Sequence, residues 1–109
     1  MAWLLHEDRV LATLEIAEGH RQRARGLLGR DGFDGALLLT PTKSIHTFRM
    51  RFALDVAWCD RDMKVLRVQS VQPNRLPRPG LRAHCVIEAE AGAFERWGLV
   101  EGTELDVRR

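Results

Sequence analysis

The feature of this sequence that most constrains its fold is the alternation of apolar and polar side chains within short segments. Successive side chains of a β-strand point to opposite faces of a sheet, so a period of two residues is typical of strands with one buried face. No uninterrupted apolar run exceeds five residues, whereas a membrane-spanning helix needs about 20. The pattern therefore predicts a protein built from many short strands and excludes a transmembrane helix.

Individual strands follow from this alternation and from the turn residues between the segments. Residues 10–16 alternate, and residues 3–5 are a candidate hairpin partner for them. Residues 46–52 alternate as well, which places His46 and Met50 on the same face as two phenylalanines. Turn signals such as Asp34-Gly35 separate the segments. The other predicted strands are residues 36–39, 54–58, 64–71, 85–91 and 105–107.

One segment has the pattern of a helix. It opens at Glu18-Gly19 and runs to about Leu28, with a narrow apolar stripe and a stop at Gly29. Residues 93–97 are compatible with a single helical turn. Residues 73–80 contain three prolines, which lack the amide hydrogen needed for strand pairing, so this segment is predicted to be an exposed arm.

Short strands with one helix predict a mainly β fold of the α+β kind. We expect a compact antiparallel barrel or sandwich, with the short helix packed against it. The 109 residues suit a single domain, residues 1–109, and the 45% hydrophobic and 29% charged composition is that of an ordinary globular protein. The N-terminus lacks the pattern of a signal peptide, so the cytoplasm is expected, with Cys59 and Cys85 as free thiols.

Several spaced motifs resemble those of one family. They are Arg25-Gly26-Leu27-Leu28-Gly29-Arg30, the segment from His46 to Val56, Val86-Ile87-Glu88-Ala89, and Gly102. Together they resemble the bacterial and archaeal family called domain of unknown function 192, over about residues 17–107. The resemblance implies a jelly-roll-like β fold with the arginine-bearing helix beside the sheet, and it implies no activity. Ala36, Ala53 and Thr103 depart from the family pattern, which affects local loops more than the fold.

Five residues with polar or soft side chains in apolar surroundings form the candidate ligand-binding site: Arg25, His46, Met50, Asp55 and Glu88. An arginine, a histidine and two carboxyls in one cleft can bind an anionic or sugar-like ligand, or exchange protons with a substrate. The structural alternative is that Arg25 pairs with Asp55 or Glu88 and that His46 is a satisfied core histidine. No residue is assigned a catalytic role with confidence.

The sequence gives less support to metal binding, nucleophilic catalysis and nucleic-acid binding. The four histidines and two cysteines lack metal-ligand spacing, and no nucleophile elbow or phosphate loop is present, so we expect no metal and no cofactor. Arginines on the helix and the arm raise the possibility of nucleic acid, yet 15 acidic residues nearly balance 17 basic ones, which favours solvated faces. These arginines are Arg21, Arg23, Arg25, Arg30, Arg75, Arg78 and Arg82.

Three functions remain open. The leading hypothesis is a small binding or accessory domain that holds a polar ligand or a peptide segment near the helix and central strands. The second is an acid–base enzyme with His46 as base and Asp55 or Glu88 orienting it. The third is a structural or interaction protein whose arm, residues 73–82, docks a partner. We expect a monomer or a weak homodimer that does not enter the membrane.

Overall fold

The structure is a computed structural model that describes all residues from 1 to 109. The alternating segments form seven strands of one sheet, and two short helices lie outside it. Along the chain these elements are β1 (Ala2–His6), β2 (Arg9–Ala17), α1 (His20–Arg25), β3 (Ala36–Leu39), β4 (Leu54–Cys59), β5 (Val65–Val71), β6 (Cys85–Glu90), α2 (Ala93–Trp97) and β7 (Asp106–Arg108). Across the sheet the strand order is β5-β4-β6-β3-β2-β1-β7.

The mainly β prediction is confirmed, and the closed barrel is wrong. A barrel needs a continuous ladder between its two edge strands. Here β5 and β7 lie at opposite edges, and only an isolated bridge between Lys64 and Glu104 approaches closure. Strand β7 pairs with β1, and no ladder joins it to β5.

The strands are not all antiparallel. Strands β2 and β3 pair in parallel, with Leu14 opposite Ala36. Parallel neighbours need a crossover of about a dozen residues or more, because the chain must return to the starting end of the sheet. Residues 18–35 make that crossover, and α1 lies within them.

The helices differ from the prediction in number and length. Helix α1 ends at Arg25 and not at Leu28, because Gly26 leaves the helical conformation with a φ of 50° and a ψ of −127°. Leu27 then turns inward and is 1% exposed. The single turn expected at residues 93–97 forms the second helix, which ends at Gly98 in the left-handed conformation.

The strand predicted at residues 46–52 is wrong. This segment is an irregular loop with a turn at Phe48 and Arg49. Its buried residues are Met50 and Thr47, and Thr47, which is fully buried, has the opposite parity to His46. The Thr47 hydroxyl donates to the Gln72 carbonyl at 2.7 Å and accepts from the Arg75 amide at 2.9 Å. Hydrogen bonds to a distant loop therefore replace the strand pairing that alternation suggested.

The same bonds fasten the proline-rich segment, so the prediction of a wholly exposed arm is wrong. The Asn74 amide donates to the Thr47 carbonyl at 2.7 Å, and the Gly80 amide donates to the Lys43 carbonyl at 2.8 Å. Pro77 is buried, whereas Leu76 remains 70% exposed. As predicted, residues 73–80 form no strand.

The sheet has an apolar cluster on each face. On β3, Ala36 and Leu38 belong to one cluster, and Leu37 and Leu39 to the other, so all four residues are buried. This burial on both sides accounts for their uninterrupted apolar run. Phe94 of α2 belongs to the first cluster. The second cluster contains residues that follow α1 and residues of the 44–52 loop, and the face that carries it is called the α1 face below.

Candidate functional site

Glu88 is the buried acid of the α1 face. On β6 it lies opposite Val56 of β4 and Leu37 of β3, both members of the α1-face cluster. The residue is 4% exposed. Glutamates are almost never buried to this extent unless a cation or hydrogen-bond donor pairs with them.

No hydrogen bond or ion pair to another residue compensates Glu88. Desolvation raises the pKa of its carboxyl from 4.5 to about 7, because burial disfavours the charged form. Gly26 lies against it, since a Cβ at this position would come within 3.3 Å of Glu88 Oε1. The positive φ of Gly26 and the close approach both favour glycine there.

The Glu88 side chain faces a cavity of about 210 Å³ between α1 and the 44–50 loop, which we call the α1 cavity. Most of its wall is apolar. The apolar lining residues are Ala24, Leu27, Leu28, Leu39, Ile45, Phe48, Met50 and Leu54. Its polar lining residues are Arg23, Arg25, Ser44, His46 and Glu88, and Gly26 completes the lining.

Two arginines of α1 line this cavity in different ways. Arg25 is exposed, and its guanidinium makes no ion pair or hydrogen bond. Arg23 is partly buried and donates through Nη1 to the Pro41 carbonyl and through Nη2 to His20 Nδ1 at 3.3 Å. The remaining donor of Arg23, Nε, is buried and has no partner. In contrast to Arg23, Arg25 has its whole guanidinium free.

His46 lies at the rim of the cavity and is exposed. Its ring stacks on Phe48 with the centroids 5.0 Å apart. The Phe48 amide donates to His46 Nδ1 at 3.2 Å, so a neutral ring carries its hydrogen on Nε2. The expectation of a core histidine is therefore wrong.

Asp55 lies on the other face of the sheet, away from the α1 cavity. Its carboxylate accepts from the Gly92 amide at 2.9 Å and from the Phe94 amide at 3.1 Å. These amides belong to the first turn of α2 and have no partner within the helix. Asp55 thus caps α2, and the predicted ion pair between Arg25 and an acid, Asp55 or Glu88, is absent.

Four of the five candidate residues, Arg25, His46, Met50 and Glu88, line one cavity. The sequence reasoning missed Arg23 and Phe48 as lining residues. Arg23 was assigned to a solvated face, but it is partly buried and lines the cavity. Phe48 was placed in a strand that does not form.

Comparison with known proteins gives the family. The model of DUF192, described as "Uncharacterized ACR", matches residues 4–107. The chain belongs to the DUF192 family. Within it, the UPF0127 protein PH1112 of Pyrococcus horikoshii is 30% identical over 87 residues, which are 75% of this chain and 76% of that protein. The membership predicted from the spaced motifs is confirmed.

Two crystal structures resemble this DUF192 chain. A protein of unknown function from Novosphingobium aromaticivorans has a TM-score of 0.80 at 17% identity, covering 96% of this chain and 82% of that one. A protein titled "putative transcription regulator", from Sinorhizobium meliloti, has a TM-score of 0.79 at 22% identity, covering 97% and 91%. At these identities the likeness shows the fold alone.

Two further observations concern the rest of the DUF192 chain. Cys59 and Cys85 are both buried and free, and they lie opposite each other on β4 and β6. None of the helices has the length and apolar character needed to cross a membrane.

Proposed function

We propose that this protein is a small-molecule-binding domain whose site is the α1 cavity. One observation carries the proposal: Glu88 presents a buried carboxyl without a partner to a cavity lined mostly by apolar side chains. Convergent polar groups in an apolar pocket, one with a perturbed pKa, are the usual features of a ligand site. A ligand that donates a hydrogen bond to Glu88 would supply the partner that the chain does not.

The free energy involved is large for one side chain. The difference between a pKa of 4.5 and one of about 7 corresponds to roughly 3 kcal/mol of unfavourable desolvation of the ionised carboxylate. A hydrogen bond to a charged group contributes about 1.5–3 kcal/mol. A bound donor therefore offsets much of this cost, which makes the carboxylate an effective anchor.

The cavity volume limits the ligand to a small molecule. A volume of about 210 Å³ exceeds the cavity of ~150 Å³ that holds benzene in a protein core. It is smaller than the ~300 Å³ at which pockets for drug-sized ligands begin. A ligand of about six to ten non-hydrogen atoms fits these limits.

Observations favour binding over the two other hypotheses. An acid–base mechanism with an oriented histidine needs a carboxylate on the imidazole, but His46 bonds to the Phe48 amide and to neither acid. For the third hypothesis, residues 73–80 are hydrogen-bonded to residues 43–49, so this segment is an anchored loop and not a free arm.

A thermal-shift screen with a matched blocking variant tests the proposal. Polar fragments of the stated size should raise the melting temperature, by about 10 °C at 100 times the dissociation constant. Leu28→Trp fills the cavity and should abolish the shift. Leu76→Trp, at an exposed position outside the cavity, is the control and should retain it. Shifts that survive Leu28→Trp, or a library without any hit, would refute the α1 cavity as a ligand site.

We also propose a jelly-roll-like arrangement of the single domain, a cytoplasmic location, and a monomer or weak homodimer. Two buried free thiols opposite each other are consistent with a reducing compartment. The three-residue edge strand β7 limits pairing of sheets between molecules. Size-exclusion chromatography with light scattering tests the oligomeric state, and a stable tetramer would contradict it.

A further inference from the structure

The chemical groups of the α1 cavity follow an order from rim to base. Arg25 is exposed, the walls are apolar, and Glu88 is buried. From this order we infer the class of ligand: a short amphipathic anion, with its anionic group on Arg25, an apolar body, and a hydrogen-bond donor on Glu88. The inference rests on the proposed function, because it assigns a ligand class to that same cavity.

The anionic end follows from the unused guanidinium. Some arginines pair with acids, since Arg30 pairs with Glu15 at 2.9 Å and Arg51 pairs with Asp31 at 2.8 Å. Arg25 has no such partner although it lines the cavity. A guanidinium offers paired donors that match a carboxylate or a phosphate, so either group fits this end.

The donor end follows from Glu88. An ionised carboxylate only accepts hydrogen bonds, so the ligand must bring a hydroxyl, an amine or an amide hydrogen to it. A simple cation is disfavoured, because the guanidiniums of Arg23 and Arg25 line the same small cavity and repel it. A donor on a molecule that also carries an anion satisfies both ends.

The body follows from the walls between the two ends. Leu27, Ile45, Met50 and Leu54 are buried and belong to the α1-face cluster. They offer no hydrogen bond through their side chains, so polar groups in mid-chain would lose their hydration without compensation. A short chain of methylene groups suits this surface.

Four probes of similar length separate the contributions. 4-Hydroxybutyrate carries both end groups, butyrate lacks the donor, 1,4-butanediol lacks the anion, and 3-hydroxypropyl phosphate replaces the carboxylate. Affinities for the full chain are measured by NMR titration about one pH unit above the pKa of Glu88. We expect 4-hydroxybutyrate to bind about tenfold more tightly than butyrate or the diol. The phosphate probe shows which of the two anions is preferred.

Two variants assign the effects to residues. Arg25→Gln should remove the advantage of 4-hydroxybutyrate over the diol, and Glu88→Leu should remove its advantage over butyrate. Arg21→Gln, on the same helix at an exposed position outside the cavity, is the matched control and should change neither ratio. Loss of an advantage in Arg21→Gln as well would indicate a general charge effect and overturn the assignment to Arg25.

The outcomes separate this inference from the proposed function. Equal binding of the diol and 4-hydroxybutyrate refutes the amphipathic anion. A cationic fifth probe, 1-butylamine, refutes it as well if it binds more tightly than 4-hydroxybutyrate. In either case, the proposed binding function stands if Leu28→Trp abolishes the binding of these probes. If none of the probes binds while other fragments give shifts that Leu28→Trp abolishes, the ligand class is wrong and the site stands. If Leu28→Trp abolishes the melting-temperature shift of no fragment, both the ligand class and the binding function are refuted.

Discussion

Replacing Glu88 with glutamine measures the desolvation of this carboxyl directly. The unfolded chain ionises Glu88 near pH 4.5, and the folded chain does so near pH 7. Between these values the folded state binds more protons, so its stability falls as pH rises and levels off above about 7. Glu88→Gln removes this dependence. Its free energy of unfolding relative to the native chain should therefore increase by about 2–3 kcal/mol between about pH 5 and about pH 8.

Urea denaturation of both chains at the two pH values gives this double difference. Glu101→Gln removes a charge of the same kind from an exposed position and is the matched control. The sign of this double difference decides the test. A carboxylate stabilised by a partner would make the glutamine variant less stable than the native chain at high pH. An equal difference at both pH values would refute the claim that Glu88 is desolvated and unpaired.

Three other outcomes follow from the described contacts. Asp55→Asn weakens the cap of α2, so it should lower the free energy of unfolding by about 1–2 kcal/mol, and unchanged denaturation curves would contradict that role. Thr47→Val should cost about 1–3 kcal/mol and speed hydrogen exchange of the Arg75 amide, whereas protected exchange would show that the hydroxyl is dispensable. The contact with Cys85 and burial raise the pKa of the Cys59 thiol, so Cys59 should react with a thiol reagent only after unfolding, and rapid modification of Cys59 in the native chain would refute this.

Local patterns of apolar residues, either alternating or continuous, were sufficient for strands whose pairing confirms them. Residues 36–39 form β3 as predicted, and the predicted strand at 54–58 extends by one residue to Cys59. The failure at residues 46–52 has a physical cause. The Thr47 hydroxyl bonds to the backbone of residues 72–75. A local pattern of side chains cannot predict partners that lie so far along the chain.

The candidate site was predictable only in part, because the register between two strands decides which of their side chains share a face of the sheet. Alternation correctly gives the relative orientation of residues within β4 and within β6. It does not say which residues of the two strands are neighbours. Val56, and not Asp55, lies opposite Glu88, so the two acids point to opposite faces of the sheet. A register offset by one residue would have placed both acids on the α1 face.

The hydrogen bonds of Thr47 have a consequence for the cavity itself. His46, Phe48 and Met50 belong to the cavity lining, and they flank the residue that is bonded to the proline-rich segment. Anything that displaces residues 72–75, including proteolysis at Leu76, would therefore loosen one side of the α1 cavity from a distance. Under the proposed binding function, selection for affinity would act on these remote positions as well as on the lining side chains.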